Sequence, residues 1–438
     1  MLDEHFFRPR AARRTPARIQ FLLESIASLA ASLERAGSRL IIVGGRSVEV
    51  VPQLAQRWKV DRVVAQSWVA PVGRARDRKV AKRLKVPLQL FDTETLCRPG
   101  SLRTGAGDPY SVFTAFARAF HRDVRVPAPL AAPRRLPPLP RDVRTRSLRL
   151  PTLASLGIAR NDALAAGGEA AANYRMKSWL AGCAEDYDEL RNRLDLDGTS
   201  RLSADLKFGT LSVRTLWHAV GNRLRDHSPD ALRVYQNELL WREFAHSTLF
   251  DRPTLLDEPF RSAWRGFPWR MDEAAWRAWT DGTTGYPVVD AAARQLLATG
   301  FVHNRARMIA ASFLAKHLLI DFRRGERHYF EKLVDGDWAN NDAGWQWSAG
   351  CGCDAQPWFR IFNPVTQGQK FDPQGEYVRR WVPELARLSA RYIHAPHLAP
   401  AAVLKAAGVV IGRSYPRPIV DHASARRRFI ETARKHLR

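Results

Sequence analysis

The feature that most constrains this chain is a proline-rich break. Between Val126 and Pro151 stand seven prolines, five of them within Pro129 to Pro140 and interleaved with arginines. Proline fixes φ and removes a backbone donor, so neither ladder nor helix can run through such a stretch and an extended connector is expected. The hydrophobic period changes across it. From Thr15 to Ala36 the residues Ile19, Leu22, Leu23, Ile26, Leu29 and Leu33 recur at helical spacing, with Pro16 suited to a first turn. Arg39 to Val43 then reads as a strand, Ser47 to Trp58 as a helix and Arg62 to Gln66 as another strand, an alternation that implies parallel strands with crossover helices. Beyond about Asn161 helical periods dominate, most clearly over Val288 to Thr299 and Arg305 to Phe322. The expectation is an α/β domain over residues 1–125, a Pro/Arg-rich linker over 126–160 and an all-α domain over 161–438.

Composition narrows the function. The chain carries 69 Lys+Arg against 44 Asp+Glu, a net charge of +25, which favours a polyanionic partner, nucleic acid first, although a solvated arginine-rich surface would give the same count. Cys97, Cys183, Cys351 and Cys353 are too few for a disulfide framework, and the C-x-C pair lacks a second ligand pair for zinc, so a reducing cytoplasm is expected. The most apolar run, Met308 to Ile320, is shorter than a membrane span and contains Lys316 and His317. The opening MLDEHFFRPR lacks the apolar core of a signal peptide. Gly44-Gly45 does not make the spacing of a nucleotide loop and reads as a tight turn.

The stretch Asp335 to Trp347 carries the chemistry. It packs carboxylates, amides and three indoles into one short run, and nine of the chain's 14 tryptophans fall between Trp264 and Trp381. Cores favour Leu and Ile, and buried carboxylates need partners, so the run reads either as a cofactor wall or as a capped helix start with a tryptophan cluster.

This run resembles the flavin signature of the DNA photolyase and cryptochrome family. So do Gly198-Thr-Ser-Arg-Leu-Ser203, Asn237-Glu-Leu-Leu-Trp-Arg-Glu-Phe244, Thr284-Gly-Tyr-Pro-Val-Val-Asp290, His303-Asn-Arg-Ala-Arg-Met308 and Trp358-Phe-Arg-Ile-Phe-Asn-Pro364, in the family's order and near its spacing. The match is dense from Tyr187 to Leu385 and looser over Ser38 to Phe120. It is nearest to the class I enzymes that repair cyclobutane pyrimidine dimers, and implies a Rossmann-like sheet followed by a helical FAD-binding and DNA-lesion domain.

By position the resemblance implies that Tyr187, Thr199, Ser200, Arg201, Leu202 and Ser203 hold the diphosphate and ribityl part of FAD, with Tyr235, Arg242 and Asn304 also contacting the cofactor. Small hydroxyls and free amides at a helix start suit a phosphate. Arg307 and Asp335 are implied as an ion pair beside the isoalloxazine, with Asp337 near and Asn341 at N5. Glu238, Trp241, Met308, Asn304 and Trp347 match the lesion pocket, where indoles stack on flipped bases and a carboxylate hydrogen-bonds them. The enzymes for the (6-4) photoproduct carry histidine at the place of Asn304, so the asparagine implies the cyclobutane substrate. Arg191, Arg305, Arg360 and Lys370 fall where the family contacts phosphates. Trp345 and Trp269 match the inner and outer members of its electron-transfer chain.

Three departures accompany the resemblance. The middle of the tryptophan chain is Phe322, which is very hard to oxidise, so Tyr329 or Trp338 is considered as a detour. Ala70 stands where members with a folate antenna carry an acid, so a pterin antenna is not expected. The family's first strand and most of its second have no counterpart before Leu2-Asp3-Glu4-His5, which reads as the tail of an interrupted strand and implies an upstream start. The expected function is light-driven repair of cyclobutane dimers in damaged DNA by a monomer carrying reduced FAD. A cryptochrome-like photoreceptor and a basic nucleic-acid-binding scaffold are the alternatives.

Overall fold

The computed structural model describes residues 1–140, 143 and 145–437; Arg141, Asp142 and Arg144, which belong to the expected linker, lie outside the described residues. The chain forms two compact units that interleave along the sequence. The first comprises Met1–Glu185, Ser200–Pro253 and Val334–Ala339, and the second Asp186–Thr199, Thr254–Leu333 and Asn340–Arg438.

The first unit holds a small parallel sheet, β1 (Val63–Gln66) and β2 (Leu88–Phe91), in register from Val63↔Leu88 to Gln66↔Phe91. The helix Pro71–Arg83 makes the crossover that parallel strands require. Pro16 opens a 20-residue helix that ends at Arg35 and buries Ile19, Phe21 and Leu23. Ile19 and Leu23 pack with Ala12, Leu156 and Ile158, and Phe21 with Ala204 and Val334.

Two expectations fail in this unit. Arg39 to Val43 forms no strand. Its bonds go elsewhere: Ile42 accepts from the Leu148 amide and donates to Ser147, while Val43 accepts from Leu2. A strand is defined by a neighbouring ladder, and this segment is extended against single residues instead. Leu2 forms one isolated bridge with Gly44, and Glu4–Phe7 turn as a short helix, so Leu2 to His5 is not a strand tail.

The second unit is helical around one core that includes Val289, Leu296, Ile309, Phe313, Leu314, Phe322, Trp345 and Phe429. The helix Pro287–Thr299 falls where its periodicity predicts. Arg305 to Phe322 does not form one helix. Asn304–Ser312 passes into a π turn over Phe313–His317, Leu319 adopts φ 55°, and Asp321 caps a new helix, Phe322–Lys332, through the Arg323 amide. The break is invisible to hydropathy because every residue from Ile309 to Ile320 is buried. The Thr284–Asp290 motif has a scaffolding role. Asp290 accepts from the Thr284 amide (2.7 Å) and hydroxyl (2.6 Å), the Gly285 amide (3.1 Å) and the Tyr415 hydroxyl (2.6 Å). Burial still pushes its carboxyl up to about 6. Gly285 sits at φ 79°, and any Cβ there would meet the Arg417 backbone at 2.5 Å.

Candidate functional site

The expected site residues divide between the two units, and each unit brings its own share together. In the first unit the helix Pro229–Asp251 carries Tyr235, Glu238, Trp241 and Arg242. Glu238 and Trp241 are one turn apart and half-buried. Trp241 lies flat on Phe113, with ring centroids 3.8 Å apart and planes 6° from parallel, and meets Phe244 edge-on at 5.9 Å. Its plane is therefore fixed by packing. The buried Tyr235 donates to the Ser200 hydroxyl at 2.9 Å. Arg201 adopts φ 51°, a costly conformation for a residue with a Cβ, so Ser200 to Ser203 turn sharply into the helix Ser203–Phe208. Arg201 and Ser203 are exposed, whereas Leu202 is buried.

Arg242 and Asp337 are committed to protein partners. Arg242 donates to the Glu94 carbonyl at 2.7 Å and reaches the Glu243 carboxylate at 3.5 Å. Asp337 accepts from the Lys207 ammonium at 3.0 Å. Asp335 lies half-buried on the same segment.

The second unit holds the rest. Tyr187 is buried, with the Arg191 guanidinium 6.0 Å above its ring. The Thr199 residue is half-buried. Arg305 binds the Asn192 side-chain oxygen at 2.6 Å and lies 4.4 Å over the Phe371 ring, whose face also has Lys370 at 5.4 Å. Arg305 and Lys370 thus share the Phe371 ring, while Arg191 sits over Tyr187. Arg360 is exposed on the Trp358–Phe362 segment, and its carbonyl accepts from the buried Lys316. Arg307 donates to the Val302 carbonyl at 2.7 Å, and the Asn304 amide nitrogen lies 3.9 Å from the Met308 sulfur.

The helix Trp338–Ala349 carries Asn341, Trp345 and Trp347. Asn341 Nδ2 donates to the Glu326 carbonyl at 3.0 Å, which orients the amide and leaves its oxygen available as an acceptor beside a second N–H. Trp347 is half-buried beside the core. Trp345 is buried and fits against Gly325, where a Cβ would meet its indole at 2.3 Å. Gln346 fixes this helix through bonds to Phe260, Leu255, Glu258 and Asp342.

Around Trp345 the structure shows what the sequence reading missed. Trp269 meets Phe322 edge-on at 6.2 Å. The aromatic neighbours of Trp345 are Tyr329 at 5.2 Å and Trp279 at 5.9 Å, and Trp279 stacks on Trp276 at 5.5 Å. The signal was present as Trp276-x-x-Trp279, two indoles one helical turn apart on Glu273–Asp281. Trp338 instead lines a small cavity of the first unit.

Each unit holds groups of the kinds a flavin dinucleotide takes, the Ser200 and Ser203 hydroxyls in the first, and the Thr199 hydroxyl, guanidiniums and the Asn341 amide in the second. Residues 235–435 match the family described as the FAD binding domain of DNA photolyase, and residues 1–135 match that described as DNA photolyase. The deoxyribodipyrimidine photo-lyase of Agrobacterium fabrum is 41% identical over 417 residues, covering 94% of this chain and 87% of that protein. The chain belongs to the DNA photolyase family. Among solved structures, a bacterial class III photolyase from Agrobacterium tumefaciens superposes with a TM-score of 0.91 at 40% identity, covering 96% of this chain and 89% of that one. A Synechocystis cryptochrome gives 0.88 at 31%, with 98% and 92% covered. The photolyase fold is the one described above, a small α/β region and a larger helical one, and the enzyme is a FAD-binding photolyase of DNA repair. No helix among the described residues is long and apolar enough to cross a membrane.

Proposed function

We propose that this photolyase repairs cyclobutane pyrimidine dimers in DNA by light-driven electron transfer from reduced FAD. The observation that carries the reading is Trp241, an indole held flat on Phe113 with the half-buried Glu238 one turn away. A flipped pyrimidine pair needs such a planar apolar wall and a carboxylate for its imide groups, and stacking contributes about 1–3 kcal/mol per base. Met308 and Trp347 supply further apolar contact, and Asn304 offers an amide where repair of the (6-4) photoproduct would call for a histidine. Arg191, Arg305, Arg360 and Lys370 hold phosphates without reading sequence.

FAD, bound in its reduced form, supplies the photoexcited electron that opens the cyclobutane bonds and is then returned. Asn341 would serve that state: with its amide oriented by the bond from Nδ2 to Glu326, its oxygen could accept from the N5–H of a reduced flavin. By the family resemblance Arg307 and Asp335 would hold the ring system, and Tyr187, Thr199, Ser200, Arg201, Leu202 and Ser203 would hold the diphosphate.

Electrons reach Trp345 through Trp279 and Trp276 in place of Phe322. Tyr329 is nearer but is a poor relay. Its buried hydroxyl has no hydrogen-bond partner, and oxidising a phenol requires somewhere for the proton to go. Trp269 is cut off behind Phe322. The enzyme acts as a cytoplasmic monomer without a pterin antenna, Ala70 standing where relatives with a folate antenna carry an acid.

Illumination of the chemically reduced protein with dimer-containing DNA tests the reading. Dimers are expected to disappear, and Glu238→Ala is expected to lose most of the repair yield while retaining FAD. No repair by the wild-type protein would leave the second reading, a cryptochrome-like photoreceptor, which Phe322 and the likeness to the Synechocystis cryptochrome favour.

A further inference from the structure

Three segments of the first unit, distant in sequence, bring Glu94, His246 and Asp337 together with ligand atoms all within 4.8 Å of one another. His246 is 1% exposed. Its Nδ1 lies 2.8 Å from the Arg242 carbonyl oxygen, which can only accept, so Nδ1 carries the ring proton and Nε2 presents a lone pair. Nε2 is buried and has no hydrogen-bond partner. Facing it are two more lone-pair bearers, Glu94 Oε1 at 3.6 Å and Asp337 Oδ1 at 3.8 Å.

Three lone pairs converging on one point require a positive charge between them, and the distances decide which kind. A second ring proton would draw a carboxylate to about 2.7–2.9 Å, well inside either contact. Around a metal ion with bonds of about 2.0–2.2 Å, ligand atoms in tetrahedral or trigonal arrangement stand roughly 3.3–3.8 Å apart. The separations of His246 from Glu94 and from Asp337 fall in that range. The surroundings are those of a ligand set. A backbone carbonyl orients the imidazole through its other nitrogen, the usual outer support of a metal-bound histidine. Lys207 binds the second oxygen of Asp337, Oδ2, at 3.0 Å. Arg242 holds the Glu94 carbonyl, and the Leu96 amide binds Glu243, so the loop carrying Glu94 is fixed. The adjoining cavity, walled by Trp68, Val69, Ala70 and Trp338, has a volume of about 10 Å³. That is space for one ion or water and no organic group.

We propose that Glu94, His246 and Asp337 form a site for one divalent transition-metal ion of the zinc type, with a fourth position open to water. One imidazole and two carboxylates, with no thiolate, suit zinc. The ion pins the loop after β2, the helix Pro229–Asp251 and the segment that carries Asp335.

Titration of the chelator-treated, flavin-loaded protein tests this, with Zn²⁺ followed by calorimetry and Co²⁺ by its visible absorption. One Zn²⁺ per chain is expected, together with the visible bands of a four-coordinate Co²⁺. Glu94→Gln and His246→Gln should each weaken Zn²⁺ binding at least ~10-fold while FAD is retained. Absence of stoichiometric Zn²⁺ in the wild-type protein overturns the proposal, as does wild-type affinity in Glu94→Gln, which stands as the comparison on its own should His246→Gln fail to fold.

Discussion

Trp241 and Trp345 are both indoles packed in aromatic clusters, and their neighbours differ in a way that separates two tasks. Trp241 has Phe113 stacked on it and Phe244 at its edge, rings that resist oxidation. Trp345 has Tyr329 and Trp279, and through Trp279 it reaches the half-buried Trp276. The first cluster can present a flat surface but cannot pass a charge onward. The second can. An indole's role is thus written in the redox character of what it touches, not in the indole.

The largest expected effect is the loss of the second cluster's relay. Trp279→Phe should slow photoreduction of oxidised flavin by on the order of 100-fold, about 2.7 kcal/mol of barrier, measured as the rate of bleaching under blue light. Repair by chemically reduced protein should be unchanged, and wild-type photoreduction would show that the route lies elsewhere. Trp241→Ala makes the converse test. It should weaken binding of dimer-containing DNA by roughly 5- to 160-fold, the worth of about 1–3 kcal/mol of stacking, with photoreduction intact. Equal damage to both functions in either variant would break the division.

Gly325→Ala probes how tightly Trp345 is held. Its methyl would enter the space of the indole and of Leu314, and overpacking of this kind costs about 1–3 kcal/mol, read as a lower unfolding midpoint. The smallest effect is expected from the acids behind Asn341. Burial, then the neighbouring Asp342 charge, pushes Glu326 up to about 9, and Asp342 is itself raised to about 7 by burial. The folded state therefore holds protons that the unfolded chain releases above about pH 4.5, so stability falls as pH rises towards 9. Glu326→Gln should flatten that fall, regaining on the order of 1 kcal/mol at pH 9, measured by denaturant unfolding across pH. An unchanged slope would remove Glu326 from the account.

Much of this was legible in the chain itself. The change of period at the proline-rich stretch foretold a small parallel α/β region and a helical remainder, because period and proline act locally. The signature from Asp335 to Trp347 pointed to the flavin through its resemblance to the family's motif, whose residues crowd into the start and body of the helix Trp338–Ala349. What escaped were arrangements of residues far apart in sequence. Arg39 to Val43 has the composition of a strand, yet its backbone bonds to Leu2, Ser147 and Leu148. The apolar run into Phe322 hid a π turn and a left-handed Leu319, because burial on all sides erases the pattern that marks a helix end. His246 reads as an ordinary core histidine until Glu94 and Asp337 arrive beside it from two other segments.

The sequence by itself determined the fold class, the family and the cofactor, since local period and clustered motifs carry them. Only the tertiary structure decided which indole neighbours which, that Asn341 donates to Glu326, and that Glu94 and Asp337 come together at His246. Those are distances between segments, and nothing in a linear pattern fixes a distance until packing has closed the chain on itself.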